Sequence, residues 1–559
     1  MRKIFIILIF LSCVTKINAQ VGLWTWVSGD TNTNLPPHFG TQGIADSLNH
    51  PTGGYEGCEW IDKKGNFWFF EGSSIMIQGH PVGAWRNDLW KYDPPSKMWA
   101  WMKGTGVPND TGNYGIQGVS SVSNLPPCRG FGMASWTDTV GNLWMYGGLN
   151  YISNFNSFND LWKYDINTNN WTWINGSKIP NQPPVRGVMG IPSPLNTPGA
   201  RSEAVCTWID DSNNLWLFGG SPPGAGAYND LWKYSIATNQ WTWMKGLNYA
   251  NAPGVYGIQG VEDSLNVPSA RASYSRWKDN NGNFWLFGGF HGVGSDYLND
   301  MWKYNISTNN WTWIKGPNNI TLDIGLVGNI CEEDTSSNPI SRFENRSCWK
   351  DNDGNFWMFG GGALNLAEFP SGILLNDMWK YSITSNEWVL VWSDTTYYSK
   401  GNYGIKGVTT PCNKPYGTQG AVSWFEPSTN TMYLFGGYQY LIPGDANYRS
   451  AMWKYAIETP CSVHECTNAG TPDIENTNEF SIFPNPITST LTITGEFYNK
   501  QKIELSIYTI LGERIYYSKE ESNGGIFLKE INMQQNCNGI YFVQLQTTDT
   551  ILTKKIFKQ

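Results

Sequence analysis

Aromatic and arginine side chains are the strongest candidates for binding chemistry in this sequence. Of the 30 Trp residues, 29 recur at fixed places in a repeated pattern, which is typical of packing, and only Trp85 lies outside that pattern, in a long loop. Trp85 is therefore the Trp that we nominate for ligand contact. Four Arg residues precede a recurring Trp by six or seven positions, and their guanidinium groups suit a carboxylate or another anionic ligand: Arg129, Arg201, Arg271 and Arg342.

A second interpretation of these four Arg residues stays open. Glu203 and Glu344 each follow one of them by two positions, on the same side of a predicted strand. The Arg side chains could therefore compensate neighbouring charges and hydrogen-bond to loop carbonyls instead of binding a ligand.

Residues for catalysis are scarce. The 5 His residues are scattered over loops, and none has a metal-binding spacing such as H-x-x-x-H. Asp279–Asn283 and Asp351–Asn355 look faintly like Ca²⁺ loops, but Asn-Gly and Asp-Gly favour tight hairpin turns. We expect no catalytic residue, no metal and no cofactor.

Composition excludes several classes of partner. Charged residues make up only 15% of the chain, the net charge is −8, and no Lys/Arg-rich run occurs, so a nucleic-acid partner is not expected. No stretch of about 18 apolar residues appears, so no transmembrane segment is expected either.

The elements that must position these side chains form an internal repeat of about seventy residues. Six units recur, and each carries a Trp-bearing strand, a second strand that ends on Gly-Gly and a strand with Trp-Lys-Tyr, although the first unit has Glu71-Gly72 in place of the diglycine. A strand with Trp-x-Trp or a variant of it follows in every unit except the last. Apolar and polar residues alternate with period two, and Gly, Asn and Asp mark the turns. The pattern predicts an all-β propeller of six four-stranded units, which hides its sheet edges by radial repetition.

The order of the segments predicts how the ring closes. Trp24-Thr25-Trp26 precedes any complete unit, while the last unit stops after Trp453-Lys454-Tyr455 without its own Trp-x-Trp. The N-terminal strand should therefore complete the sixth unit. The two turns on one face have nearly constant lengths, whereas the loops on the opposite face are long and variable, so we expect binding on the long-loop face.

The diglycines followed by Asn-Asp-Leu-Trp-Lys-Tyr, as at Asn159–Tyr164, resemble the kelch motif. This resemblance covers about 440 residues, 20–459, although the period exceeds the usual ~50 residues of kelch repeats. It implies a ligand-binding platform more often than an enzyme.

The C-terminal residues 480–559 differ in composition, since Trp disappears and plain strand alternation begins. We predict about seven short strands that form a small β-sandwich. Ile482–Pro486, Ile510–Glu513, Gly539-Ile540-Tyr541 and the basic Lys554-Lys555 resemble the C-terminal sorting domain of the type IX secretion system. The resemblance implies a Bacteroidota-like source, contact with the type IX machinery through residues 480–559, and release or attachment at the outer cell surface.

The N-terminus resembles a signal peptide, residues 1–19, with Arg2-Lys3 before the apolar run 4–11; a lipoprotein signal ending at Cys13 is the alternative. Residues 460–479 are the expected linker. In an oxidising compartment we expect two disulfides, Cys461–Cys466 and Cys331–Cys412.

Our hypothesis is a secreted or surface-located, non-enzymatic propeller that binds an extracellular glycan or a surface protein. The alternative is a secreted propeller enzyme that acts on extracellular carbohydrate, either galactose-oxidase-like or glycan-cleaving. A structural surface-layer component is a third possibility. The sequence does not identify the ligand.

Overall fold

A computed structural model describes residues 23–74, 84–152, 154–203, 206–224, 226–272, 274–292, 297–318, 330–365, 369–393, 401–439, 447–457, 480–484, 486–510, 512–547 and 551–559. The chain divides into two compact units, residues 1–467 and 468–559. The described residues form strands and turns without any helix. In particular, they include no helix that is long and apolar enough to cross a membrane.

The described residues of the first unit form six antiparallel sheets with four repeat strands each, besides short two-stranded pairs, and we number the six sheets 1 to 6 in chain order of their first strands. The first strands, which carry the recurring single Trp, are Cys58–Ile61, Ala134–Thr137, Cys206–Ile209, Ser275–Lys278, Cys348–Lys350 and Val422–Glu426. The second strands are Phe67–Phe70, Leu143–Tyr146, Asn214–Phe218, Phe284–Phe290, Phe356–Asn365 and Thr431–Phe435.

The third strands carry Trp-Lys-Tyr and are Leu89–Asp93, Leu161–Asp165, Leu231–Ser235, Tyr297–Asn305, Phe369–Ser382 and Met452–Ala456. The fourth strands are Met98–Lys103, Asn170–Asn175, Gln240–Lys245, Asn310–Lys315 and Glu387–Trp392 for sheets 1 to 5, and Trp24–Ser28 for sheet 6. Short two-residue strands in the connections are Ala45–Asp46, Ser73–Ser74, Ala84–Trp85, Leu149–Asn150, Asn156–Ser157, Glu262–Asp263, Tyr438–Gln439 and Asn447–Tyr448.

The N-terminal strand pairs with the last repeat strand. Trp24 lies opposite Tyr455 and Trp26 lies opposite Trp453, so the first Trp-x-Trp supplies the fourth strand that sheet 6 lacks in its own repeat. The first strand of each sheet contacts the first strand of the next, and the first strand of sheet 6 contacts that of sheet 1.

The recurring Trp residues hold neighbouring sheets together. The indole Nε1 of Trp136 in sheet 2 donates to the carbonyl of Trp216 in sheet 3 at 3.0 Å, and Trp60 makes the same bond to Trp144. Trp208 stacks on Phe284 with ring centroids 4.8 Å apart. The packing role predicted for the repeated Trp residues follows from these contacts, because large buried rings dominate core energetics.

Part of each long loop between a fourth strand and the next first strand covers a sheet edge. In sheet 3, the amide of Gly190 donates to the carbonyl of Trp243 at 2.8 Å, and Asn196 Nδ2 donates to the carbonyls of Trp241 and Ile191. A Cβ on Gly187, which has φ +58°, would lie 2.5 Å from Asn196 Oδ1. The equivalent Asn residues are Asn49, Asn124, Asn266 and Asn413. The loops therefore protect the outer strands from pairing with other chains.

The hairpins between first and second strands owe their shape to an Asp side chain. Asp279 Oδ1 accepts from the amides of Asn281 and Asn283, and Oδ2 accepts from Trp285 Nε1 at 2.9 Å. Asp351 makes the matching bonds to Asn355 and Trp357. The two segments that look faintly like Ca²⁺ loops are thus hydrogen-bonded turns, as the turn interpretation predicts.

The second unit contains one five-stranded antiparallel sheet with Phe480–Phe483, Thr490–Thr509, Arg514–Asn532, Gly539–Gln546 and Ile551–Lys558. The two long strands pair with a register shift between Phe497 and Lys500. Each long strand covers two of the short strands expected from the sequence, which explains why seven were predicted and five are found. One hydrophobic cluster, including Ile493, Leu505 and Val543, contains residues from both sides of that shift. The expected linker 460–479 lies outside the described residues.

Candidate functional site

The four Arg residues nominated for ligand binding are buried inside the sheets. Arg201 Nη1 lies 2.8 Å from Asp230 Oδ1, and Arg271 Nη1 lies 2.6 Å from Asp300 Oδ1. The matching pairs in sheets 2 and 5 are Arg129–Asp160 and Arg342–Asp377. The Asp partner belongs to the recurring Asn-Asp before Trp-Lys-Tyr, and it was not recognised as a partner from the sequence.

Each of these guanidinium groups also bonds to the backbone of its own sheet. Arg201 Nη1 donates to the carbonyl of Gly219 at 2.8 Å, and Arg342 Nη1 donates to that of Gly360 at 2.9 Å. Since all four side chains are at most 1% exposed, their guanidinium groups are not accessible to a ligand. Their contacts support charge compensation, the second interpretation of the sequence.

Sheet 1 uses a different arrangement, which accounts for its irregular Glu71-Gly72. Arg86 Nη1 lies 3.3 Å from Asp88 Oδ2, and Arg86 Nε lies 3.6 Å from Glu71 Oε2. Glu71 Oε1 also accepts from the amide of Thr52 at 2.9 Å. Burial raises the pKa of Glu71 to about 8, with Arg86 opposing the shift.

Trp85, the other nominated ligand contact, is buried with 3% exposure. Its ring packs against Phe131 and Tyr151 at centroid distances of 5.5 and 6.0 Å, and it shares a small core cluster with Cys128 and Leu149. Trp85 therefore supports the loop that carries Tyr151 and presents little surface of its own.

A belt of left-handed residues precedes the first strands. Glu56, Phe131, Glu203, Glu344 and Gly420 all have φ between 49° and 64°. Backbone hydrogen bonds join them across sheets: the Glu56 amide donates to Gly420, the Gly420 amide to Glu344, and the Glu203 amide to Phe131. Non-glycine residues rarely adopt this conformation, and it recurs here at the same place in five of the six sheets.

Three carboxylates of this belt converge. Glu56, Glu203 and Glu344 come from sheets 1, 3 and 5, and each contributes an oxygen to a group whose members all lie within 4.8 Å of one another. Burial raises the pKa of Glu56 to about 7, and burial together with Glu56 raises the pKa of Glu344 well above its usual range. The phenol of Tyr55 has a raised pKa because it is buried beside Glu344.

An ion-pair network close to this group involves the first strands of sheets 1 and 4 and Arg346, which precedes the first strand of sheet 5. Glu59 accepts from Arg276 Nη2 at 3.0 Å and from Arg346 Nη2 at 2.9 Å. Arg346 also lowers the pKa of Glu56 electrostatically, without forming an ion pair with it.

A cleft of about 390 Å³ opens beside two of these carboxylates, on the long-loop face. Glu203 and Glu344 lie in its wall, together with Tyr151, Phe155 and Phe343. Tyr297, also in the wall, stacks on Phe343 with centroids 4.5 Å apart. Tyr151 is 44% exposed and therefore offers an aromatic face to an incoming group.

A larger cavity of about 580 Å³ lies between sheets 6 and 1, beside Ser28, Trp99 and Lys406. It contains His38 and His50, whose backbones pair and whose rings lie 6.3 Å apart. Among the described residues, two of the convergent carboxylates and the exposed ring of Tyr151 belong to the smaller cleft, which we therefore take as the candidate site.

Two family matches account for most of the chain. The KLHDC2/KLHL20/DRC7 Kelch-repeats domain matches residues 110–321 and 188–401, which together span more than half of the 559 residues. The chain belongs to the kelch-repeat family. Its first unit is thus a kelch propeller, as the diglycine and Trp-Lys-Tyr motifs predicted.

The second match is the secretion system C-terminal sorting domain, over residues 481–559. The sorting domain behind the kelch propeller directs the protein to the secreted or cell-surface compartment and implies interaction with the type IX secretion machinery. Both conclusions agree with the sequence motifs.

The cysteines of the kelch propeller are partly accounted for. Cys331 and Cys412 are both disulfide-bonded, as the predicted pair requires. Cys58, Cys128, Cys206 and Cys348 are free thiols. Cys461 and Cys466, the other predicted pair, lie outside the described residues.

Sequence reasoning nominated Trp and Arg side chains on the long-loop face, whereas the structure brings carboxylates together there. The signal for the carboxylates was present, because Glu203 and Glu344 each follow a recurring Arg by two positions. Glu56 gives no such signal, since no Arg stands two residues before it, at Gly54. Glu56 comes close to Glu203 and Glu344 only in the folded belt.

Proposed function

We propose that this protein is an exported, non-enzymatic binding protein that recognises an extracellular glycan in the cleft beside Glu203 and Glu344. The observation that carries the proposal is the pairing of aromatic rings with carboxylates in one small cleft on the long-loop face. Its volume of about 390 Å³ falls within the range of small-ligand sites. We therefore expect the cleft to hold only the terminal sugars of a longer glycan chain.

The chemistry of the wall supports a sugar ligand. A pyranose ring presents C–H groups that pack on an aromatic face such as that of Tyr151, which is the most exposed ring of the wall. Its hydroxyl groups are hydrogen-bond donors, and the carboxylates of Glu203 and Glu344 are strong acceptors.

A glycan-cleaving enzyme is the second candidate, because glycoside hydrolases also use a pair of carboxylate side chains for catalysis. In such enzymes two carboxyl groups flank the scissile bond and act as a pair, whereas Glu203 and Glu344 share their group with a third carboxylate, that of Glu56. We therefore prefer binding to cleavage.

The test is binding of the full-length exported protein to a panel of soluble polysaccharides, with reducing-end release measured in the same samples. We expect binding without release of new reducing ends. Tyr151→Ala should weaken binding at least ten-fold, whereas Tyr249→Ala should not, because Tyr249 is equally exposed but lies outside the cleft.

Two results would contradict the proposal. Release of reducing ends that is lost in Glu344→Gln would establish the enzyme. Absence of binding across the panel would exclude a glycan as the ligand and would favour a protein ligand at the cell surface.

We also infer a six-bladed ring in which each sheet is a blade and the N-terminal strand closes the last one. The cyclic contacts of the first strands and the pairing of Trp24 with Tyr455 support this inference. The common core of the second unit supports a small sandwich. The domain boundaries at 459 and 480, the signal peptide over residues 1–19 and the Bacteroidota-like source remain predictions from sequence.

A further inference from the structure

The convergent carboxylates of the belt have an unusual electrostatic environment. Glu56 is completely buried, yet neither of its carboxylate oxygens has a hydrogen-bond partner in the structure. One oxygen of Glu344 is also buried without a partner. A buried carboxylate normally has an ion pair or several hydrogen bonds, because desolvation of an unpaired charge is very costly.

The carboxylate of Glu56 lies within 4.8 Å of those of Glu203 and Glu344. Arg346, the cation that acts on Glu56 electrostatically, forms its ion pair with Glu59 instead. Among the described residues, Glu56 therefore has no ion pair that offsets its charge.

We propose that Glu56, Glu203 and Glu344 bind a divalent cation of the calcium type. All three ligands are oxygen donors, without any His or Cys, and this is the set that a hard cation selects. Calcium binds carboxylate oxygens at about 2.3–2.6 Å, so two oxygens on one ion lie at most about 5 Å apart. The oxygens here lie within 4.8 Å of one another, which satisfies that condition.

The belt explains how the fold holds such a site. Each ligand residue has a left-handed backbone conformation, and backbone hydrogen bonds join Glu56 to Gly420 and Gly420 to Glu344. The cation would therefore join sheets 1, 3 and 5 through residues that already share a backbone network. Glu203 and Glu344 also line the cleft, which gives the ion a route from solvent.

This site was not expected from the sequence, which predicted no metal. The three ligands lie far apart in the chain and share no short motif. The three Glu residues come together only because the fold places sheets 1, 3 and 5 close to one another at this point.

The proposal can be tested without any glycan and does not depend on the proposed function. The full-length exported protein is treated with a chelator, dialysed, and titrated with Ca²⁺ by calorimetry, and its Tm is measured with and without Ca²⁺. We expect one Ca²⁺ per chain and a higher Tm with Ca²⁺. Glu56→Gln should lower the Ca²⁺ affinity at least ten-fold and abolish the rise in Tm.

Glu71→Gln is the matched control, because Glu71 is an equally buried carboxylate of sheet 1 that bonds to Arg86 and Thr52 outside the group. It should retain Ca²⁺ binding. If Glu56→Gln does not fold, Glu203→Gln decides the matter, since Glu203 is only partly buried. Wild-type protein that shows neither heat nor a change in Tm with millimolar Ca²⁺ would overturn the proposal. Binding of Zn²⁺ but not Ca²⁺, or variants that bind like wild type, would overturn it equally.

Discussion

At the scale of single residues, buried charge has two different roles in this protein. Arg129, Arg201, Arg271 and Arg342 are each satisfied by an Asp and a glycine carbonyl, so their charges stabilise the sheets. Glu56 is buried without such a partner. The contrast separates structural charges from charges that are available to bind something.

The buried ion pairs should be costly to break from one side. Asp300→Ala leaves Arg271 charged and unpaired in the interior, and we expect the free energy of unfolding to fall by about 3–5 kcal/mol. Denaturant unfolding followed by Trp fluorescence measures this change. Asp211→Asn removes an ion pair in which Asp211 is 89% exposed, and it should leave the free energy of unfolding almost unchanged. Equal effects of the two substitutions would contradict the structural role.

Glu71 should make stability depend on pH. Its pKa is raised by burial to about 8 in the folded protein, so the folded state retains a proton that the unfolded chain loses at lower pH. The contribution of Glu71 is therefore fully present below the unfolded pKa of about 4.5 and is lost as the pH rises through about 8. Tm measured from pH 5 to 9 should fall less in Glu71→Gln than in wild type. A profile of the variant that is parallel to wild type would refute the assignment.

At the scale of elements, the strands could be predicted from sequence and the loops could not. Alternation and turn residues locate the four strands of each repeat, and Trp24-Thr25-Trp26 even indicates which strand completes sheet 6. The loops looked like free binding surface because the Asn that recurs in five of them was not recognised as a contact to the backbone. Asn196 and its equivalents show that a part of each loop is structural.

The edge-covering Asn residues should be important for stability. Asn49 Nδ2 donates to the carbonyls of Trp99 and Ile44 at 3.1 and 3.0 Å. Asn49→Ala leaves both carbonyls without this donor, and we expect a loss of about 1–3 kcal/mol and faster hydrogen exchange at the Gly43 amide. Gln42→Ala, at an exposed position in the same loop, is the control and should leave both unchanged. Unaltered exchange at Gly43 in Asn49→Ala would show that the side chain does not hold the loop.

At the scale of the whole molecule, the propeller fold places side chains together that the chain keeps far apart. Tyr151, Glu203 and Phe343 line one cleft although they come from different repeats. The proposed binding face can therefore be inferred from loop length, whereas the residues of the candidate site cannot. The sorting domain, in contrast, is a continuous segment whose motifs identify it directly.

The central claim is that the ligand occupies this cleft. Hydrogen exchange of the full-length exported protein, with and without the tightest-binding polysaccharide of the panel, tests it most directly. We predict protection confined to residues 149–155, 221–226, 290–297 and 343–344, which contain most of the cleft wall. Protection that appears only in the edge-covering loops, such as residues 40–50, would contradict the claim.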